Sequence, residues 1–162
     1  MYNRMGKIYT ISIGSGARID TTTTLMRADY NVNWDEILPN DKSFYVSFSF
    51  ISSTVNITSL TVIPVIAVSL GSTNTHRIAF PAHTSTPASN TVGILTPHTL
   101  STTTFLRGES SSNYRSFLKS RPVNNVMNVL IFNPTGNVAW TDNVGGVPVS
   151  YVLILSLEEV DE

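Results

Sequence analysis

Cysteine is absent from the 162 residues, which excludes disulfides and thiolate-held metals as supports for the fold and gives no weight to an oxidising, extracellular setting. Charge is scarce. Only 13% of residues are Asp, Glu, Lys or Arg, about half the roughly 25% usual in soluble domains. Ten basic residues against eleven acidic ones leave a net charge of −1, so the chain lacks the basic excess that a nucleic-acid-binding face or arm requires. Long hydrophobic runs are missing too. The most apolar window, Leu60 to Leu70, is interrupted by Pro64 and falls well short of a membrane span. The first residues, MYNRMGKIYTISIGSG, contain no apolar stretch of signal-peptide length, and the chain reads as a soluble one with no membrane span.

What takes the place of charge is hydroxyl and amide. Serine and threonine number 20 each and asparagine 14. A neutral polar surface gives little electrostatic repulsion between copies, which favours association over solitary solubility. A chain of this length suits one domain and hides about 68–70% of its unfolded surface, enough for a hydrophobic core without staples.

The order of that core is visible in SFYVSFSFIS, Ser43 to Ser52. Phe44, Val46, Phe48 and Phe50 share one face of an extended chain and Ser43, Tyr45, Ser47 and Ser49 the other, the signature of a half-buried strand. Further strands are expected over Lys7–Ile13, Arg18–Tyr30, Ile57–Leu70, His76–Phe80, Thr91–Leu95, Val123–Phe132 and Val149–Leu157. The last of these looks covered on both faces. Trp34, Ile37 and Leu38 have helical spacing and Pro39 stops them, which predicts a short helical plug between Asn31 and Lys42, with Asp35 and Glu36 as the acidic pair of its first turn. Tyr114, Phe117 and Leu118 suggest one or two further helical turns between Arg107 and Arg121. About eight strands with Pro, Gly and Asn turns and no long amphipathic helix indicate an all-β fold, an antiparallel β-sandwich or closed barrel. The long connections at Asn31–Lys42 and Pro81–Asn90 suit Greek-key crossings, and eight strands in two Greek keys make a single jelly roll spanning 1–162. An acidic tail is expected at 158–162, carrying Glu158, Glu159, Asp161 and Glu162, either solvated or set against a basic patch of a neighbouring copy.

No constellation names a reaction. His76, His83 and His98 stand at spacings that match no compact metal motif, and loop histidines are the simpler reading. Asp20, Asp29, Asp35, Glu36, Asp41, Glu109 and Asp142 all sit in stretches that read as turn or surface, and there is no G-x-S-x-G elbow. No catalytic residue, cofactor or metal is therefore assigned. The one local basic excess is Arg107, Arg115, Lys119 and Arg121, with Tyr114 among them. It is a candidate partner-contact patch, weighed against a solvated loop whose aromatics turn inward. Asn56-Ile57-Thr58 matches a glycosylation sequon that, without a signal peptide, reads as chance. A carbohydrate- or receptor-binding sandwich would use exposed aromatics beside amides and charges, and Tyr114 near Asn113 and Arg115, or Trp140 near Asp142 and Asn143, are the places for it.

In texture and strand order the chain resembles the small single-jelly-roll structural proteins of viruses, through WDEILPNDKSFYVSFSFIS in its first third and VSYVLILSLEEV at its close. The nearest likeness is to minor capsid or penton-type subunits of large eukaryotic DNA viruses and their satellites. That resemblance implies a structural virion protein, assembled in the host cytoplasm, acting as a homo-oligomer, a trimer or pentamer, packed with other capsid proteins. Families that package RNA often carry a basic N-terminal arm; here only Arg4 and Lys7 precede the first strand, so a shell, vertex or decorating role is implied instead of direct contact with the genome.

Overall fold

A computed structural model describes residues 6–19, 27–54, 65–70, 91–94, 96–100, 103–110, 115–133, 138–139, 143–144, 147–148 and 150–160. In chain order its elements are β1 (Ile8–Gly14), a single 3-10 turn (Ser15–Ala17), β2 (Arg27–Asn31), α1 (Trp34–Ile37), β3 (Phe44–Thr54), β4 (Val65–Ser69) and β5 (Thr91–Ile94). They continue with β6 (Thr96–Leu100), β7 (Thr103–Glu109), β8 (Ser116–Leu118), β9 (Val126–Asn133), β10 (Val138–Ala139), β11 (Asn143–Val144), β12 (Val147–Pro148) and β13 (Tyr151–Glu159).

The strands are antiparallel throughout and form two main sheets. The first is six-stranded, in the order β1-β13-β3-β7-β6 with β8 also on β3; the second is five-stranded, β10-β9-β4-β5 with β2 also on β9. A third, two-stranded sheet pairs β11 with β12. The partnerships are nested: β4 pairs with β5, β3 with β7, β2 with β9 and β1 with β13.

Two-residue alternation builds the core. Phe44, Val46, Phe48 and Phe50 of β3 are buried, as are Tyr151, Leu153, Leu155 and Leu157 of β13. The register sets Leu157 opposite Val46, Leu155 opposite Phe48 and Leu153 opposite Phe50, so each step of the ladder places two large apolar side chains side by side. Ala28, Tyr30, Ile66, Val68, Met127, Val129 and Ile131 of the second sheet belong to the same cluster. The protein is thus an all-β sandwich with one apolar layer between its main sheets. The two sheets are also tied by polar atoms: the hydroxyls of Tyr30 on β2 and Tyr151 on β13 are 2.7 Å apart and buried. Beside them the buried Ser15 hydroxyl accepts from the Tyr151 N–H at 3.0 Å. Burial holds both phenols in their neutral form and raises their pKa above 10.0.

The expected plug is present. Trp34 begins α1 and is fully buried, and the Leu38 N–H closes the turn on the Trp34 carbonyl at 2.8 Å. Asp35 and Glu36 occupy its first turn.

Three expectations are corrected. The stretch from Arg107 to Arg121 contains strands: Arg107 lies in β7, while Phe117 and Leu118 lie in β8. The helical spacing of the aromatics was overridden by pairing, because Ser116 and Leu118 turn inward opposite Val46 and Phe44. The last strand is covered on one face only; Val152 on its other face is 41% exposed. Glu158 and Glu159 are the last two residues of β13, with partners of their own, so the tail does not begin at 158. The expected strand at His76–Phe80 lies outside the described residues, as do 20–26 and 57–64 of the two longer expected strands.

Candidate functional site

The outward face of the six-stranded sheet holds Arg107 and, beside Tyr45, Arg115, two of the residues that the sequence offered for contact. The registers lay it out in rows. One row runs Ile8, Glu158, Tyr45, Phe117; the next is Thr10, Ser156, Ser47; the next Ser12, Ile154, Ser49, Glu109; and the last Gly14, Val152, Ile51, Arg107, Thr96. The middle rows are dominated by hydroxyls and the end rows by exposed apolar side chains: Ile8 is 55% exposed, Ile51 50%, Val152 41% and Tyr45 37%.

Arg107, Arg115, Lys119 and Arg121 do not form one patch. Arg107, on β7 opposite Ile51, reaches Glu109 at 3.7 Å with both side chains more than half exposed, a pairing that contributes little in water. Arg115 precedes β8 at the other end of β3. Its guanidinium lies 4.7 Å from the centre of the Tyr45 ring and forms an ion pair with Glu158, while Phe117 meets the same tyrosine edge to face at 5.7 Å. The Lys119 side chain is exposed, and its carbonyl accepts from the Ser43 hydroxyl at 2.9 Å. Arg121 serves α1: it meets Asp35 at 2.8 Å and donates to the Leu38 carbonyl at 3.3 Å, holding both ends of that turn. Tyr114 lies outside the described residues.

The register makes Arg115, Tyr45, Phe117 and Glu158 neighbours although Arg115 and Glu158 are 43 residues apart. Of the four acidic residues expected either in solvent or against a basic patch of another copy, Glu158 meets Arg115 in its own chain, while Asp161 and Glu162 lie outside the described residues. Next to Glu158, Glu159 accepts a 2.6 Å hydrogen bond from the Tyr9 hydroxyl, and that bond, with some desolvation, raises the pKa of the phenol. Gly6 is required at this corner: a Cβ there would stand 2.0 Å from the Glu159 carbonyl oxygen.

His98, on β6, is exposed, stacks on Phe105 with ring centres 5.8 Å apart and has its Nε2 3.2 Å from the Thr96 hydroxyl; His76 and His83 lie outside the described residues. Among the described residues no three His, Asp or Glu side chains are grouped to hold a metal, and no helix is long and apolar enough to cross a membrane. Asn113, Trp140 and Asp142, which a sugar site would use, also lie outside the described residues.

Sequence reasoning had marked Tyr45, Ser47 and Ser49 as outward, but not the rows they form with β1 and β13. Those rows depend on long-range register, for which the only local signal was the shared alternation of the three strands. What such a face can do is pack against a neutral surface, with hydroxyls to satisfy polar groups and its charges already paired within the chain. No protein-family model, curated protein or solved structure matches the chain.

Proposed function

We propose that this chain is a structural subunit of a virus particle, a single jelly roll that works by self-association and by packing with other capsid proteins, as a minor capsid, penton or decorating protein. The observation that carries the reading is the strand order. The nested pairs β4·β5, β3·β7, β2·β9 and β1·β13 describe one long hairpin. Rolling that hairpin up brings β13 beside β3 and β9 beside β4, giving the orders 1-13-3-7 and 2-9-4-5 of two interlocked Greek keys. A jelly roll by itself serves many roles, and the surface chemistry is what favours a shell. The outward sheet face carries rows of hydroxyls between apolar end rows, and its charges are paired within the chain, Arg107 with Glu109 and Arg115 with Glu158, which suits it to lying beside other β-walls.

Closed three- or five-fold rings would cover such walls and some of the strand edges together. Light scattering coupled to size exclusion, over a range of concentration, tests the assembly. A ring of three or five chains is the expected result; a species that never exceeds two chains, alone or with other virion proteins, overturns it.

A further inference from the structure

β1 ends the six-stranded sheet. β13 occupies one side of it, and among the described residues no strand lies on the other. Exposed edges are usually blunted by charge, proline or a bulge. β1, IYTISIG, contains none of these, and its pairing with β13 is unbroken from Ile8 to Gly14.

The direction of its free backbone groups follows from one hydrogen bond. The Glu159 N–H donates to the Lys7 carbonyl at 2.9 Å. In an antiparallel ladder the pointing direction alternates, so Lys7, Tyr9, Ile11 and Ile13 turn their backbone groups to β13. Ile8, Thr10, Ser12 and Gly14 turn theirs to the open side. The side chains divide in the same way: Ile13 is buried and Tyr9 and Ile11 pack against the core only in part, while Ile8, Thr10, Ser12 and Gly14 face out.

We propose that β1 is the contact strand of a two-fold dimer, in which it pairs antiparallel with β1 of a second copy about an axis at Ile11 and joins the two six-stranded sheets into one. This register alone pairs all seven residues, and it matches every open donor and acceptor with an open partner. Ile8 stands opposite Gly14 of the second copy and Thr10 opposite its Ser12. Ile11 faces its own mate across a non-hydrogen-bonded position, where Cα atoms approach to about 4.5 Å. Side chains fit as well as backbones do. A Cβ placed on Gly14 would meet nothing within 4 Å, so there is room above it for the exposed Ile8 of the other copy, beside the exposed Val152. The half-buried Ile11 side chains cover one another. The contact does not rest on a viral role, since it needs only this strand twice.

The lack of cysteine makes the test direct, because one introduced thiol has only its mate to react with. Under mild oxidation Ile11→Cys is expected to give a covalent dimer. Ser12→Cys is expected to stay monomeric, because two such residues would lie beyond the roughly 7 Å Cα separation a disulfide can bridge. Thr10→Pro removes an N–H that only the dimer uses and so leaves the β13 ladder in place. Combined with Ile11→Cys, it should lower the cross-linking rate by at least about tenfold, since it strands buried acceptors on both copies. Unchanged melting of the Thr10→Pro variant checks the fold. Failure of Ile11→Cys to cross-link, equal cross-linking through Ser12→Cys, or indifference to Thr10→Pro overturns the proposal. Rings of three or five chains in the Thr10→Pro variant would speak to the capsid reading separately, because they would have formed without the β1 contact.

Discussion

The two flanks of β3 are held in different ways. Along one, β13 runs unbroken from Tyr151 opposite Ser52 to Glu159 opposite Phe44, and the buried residues of both strands are apolar. Along the other, β7 and β8 share the strand, and the β7 register shifts between Ile51 and Thr54. Serine hydroxyls mend that second flank. Ser52 accepts from the Leu106 N–H at 2.8 Å where the register shifts, and Ser110 accepts from the Phe48 N–H at 2.9 Å just beyond the end of β7. Along the packed flank such a bond, from the Ser150 N–H to the Ser53 hydroxyl at 3.0 Å, lies beyond the end of the ladder. Where a ladder is broken, a short polar side chain takes up the orphaned donor.

The largest effect should come from the packed flank. Phe48→Ala, opposite Leu155, is expected to cost about 3–5 kcal/mol in chemical denaturation, a large part of a domain's stability. An unchanged melting temperature would remove Phe48 from the core. On the mended flank, Ser110→Ala leaves the Phe48 N–H without its acceptor and is expected to cost about 1–3 kcal/mol; Ser52→Ala should behave alike. If both serine variants were silent, the hydroxyls would be incidental and the two flanks equivalent.

A smaller, pH-dependent effect belongs to the buried phenols at the end of the packed flank. Tyr30 and Tyr151 have pKa values raised above 10.0 by burial. Their contribution is complete below pH 10 and is lost as the pH rises beyond it, because the unfolded chain then releases protons that the folded one retains. The melting temperature should stay flat through neutral pH and fall above about pH 10, and Tyr151→Phe should make that fall shallower. The smallest effect is expected from Arg115→Gln. Its ion pair with Glu158 is more than a third exposed on the arginine side, so the loss should be about 0–1 kcal/mol and should shrink with salt.

β3, β13, β1 and α1 could be read from the sequence because each carries its own signal: strict alternation in the strands, and Trp34, Ile37 and Pro39 around the turn. β7 and β8 could not, since Phe117 and Leu118 fit a helix as well as a strand until Phe44–Val46 is known to lie beside them. The chain also hid which of its 20 serines matter. Ser15, Ser52, Ser53 and Ser110 differ from the rest in accepting from a backbone N–H far away in sequence, which is a property of long-range register. The same holds for Arg115 and Glu158. Both were visible as charges, and only the alignment of β13 and β8 on β3 makes them a pair within one chain.

The nested pairing of the strands also orders events in time. β4 and β5 can meet as soon as both exist, but β13 must enter between β1 and β3, and it is the last strand of the sheet to be synthesised. Until then the facing edges of its two neighbours lack the strand that pairs with both. Contacts between β1 and β13 span nearly the whole chain, so folding should be slow for a domain of this size. Its vulnerable period is the interval before the final strand arrives, when β3 offers any passing chain the flank reserved for β13.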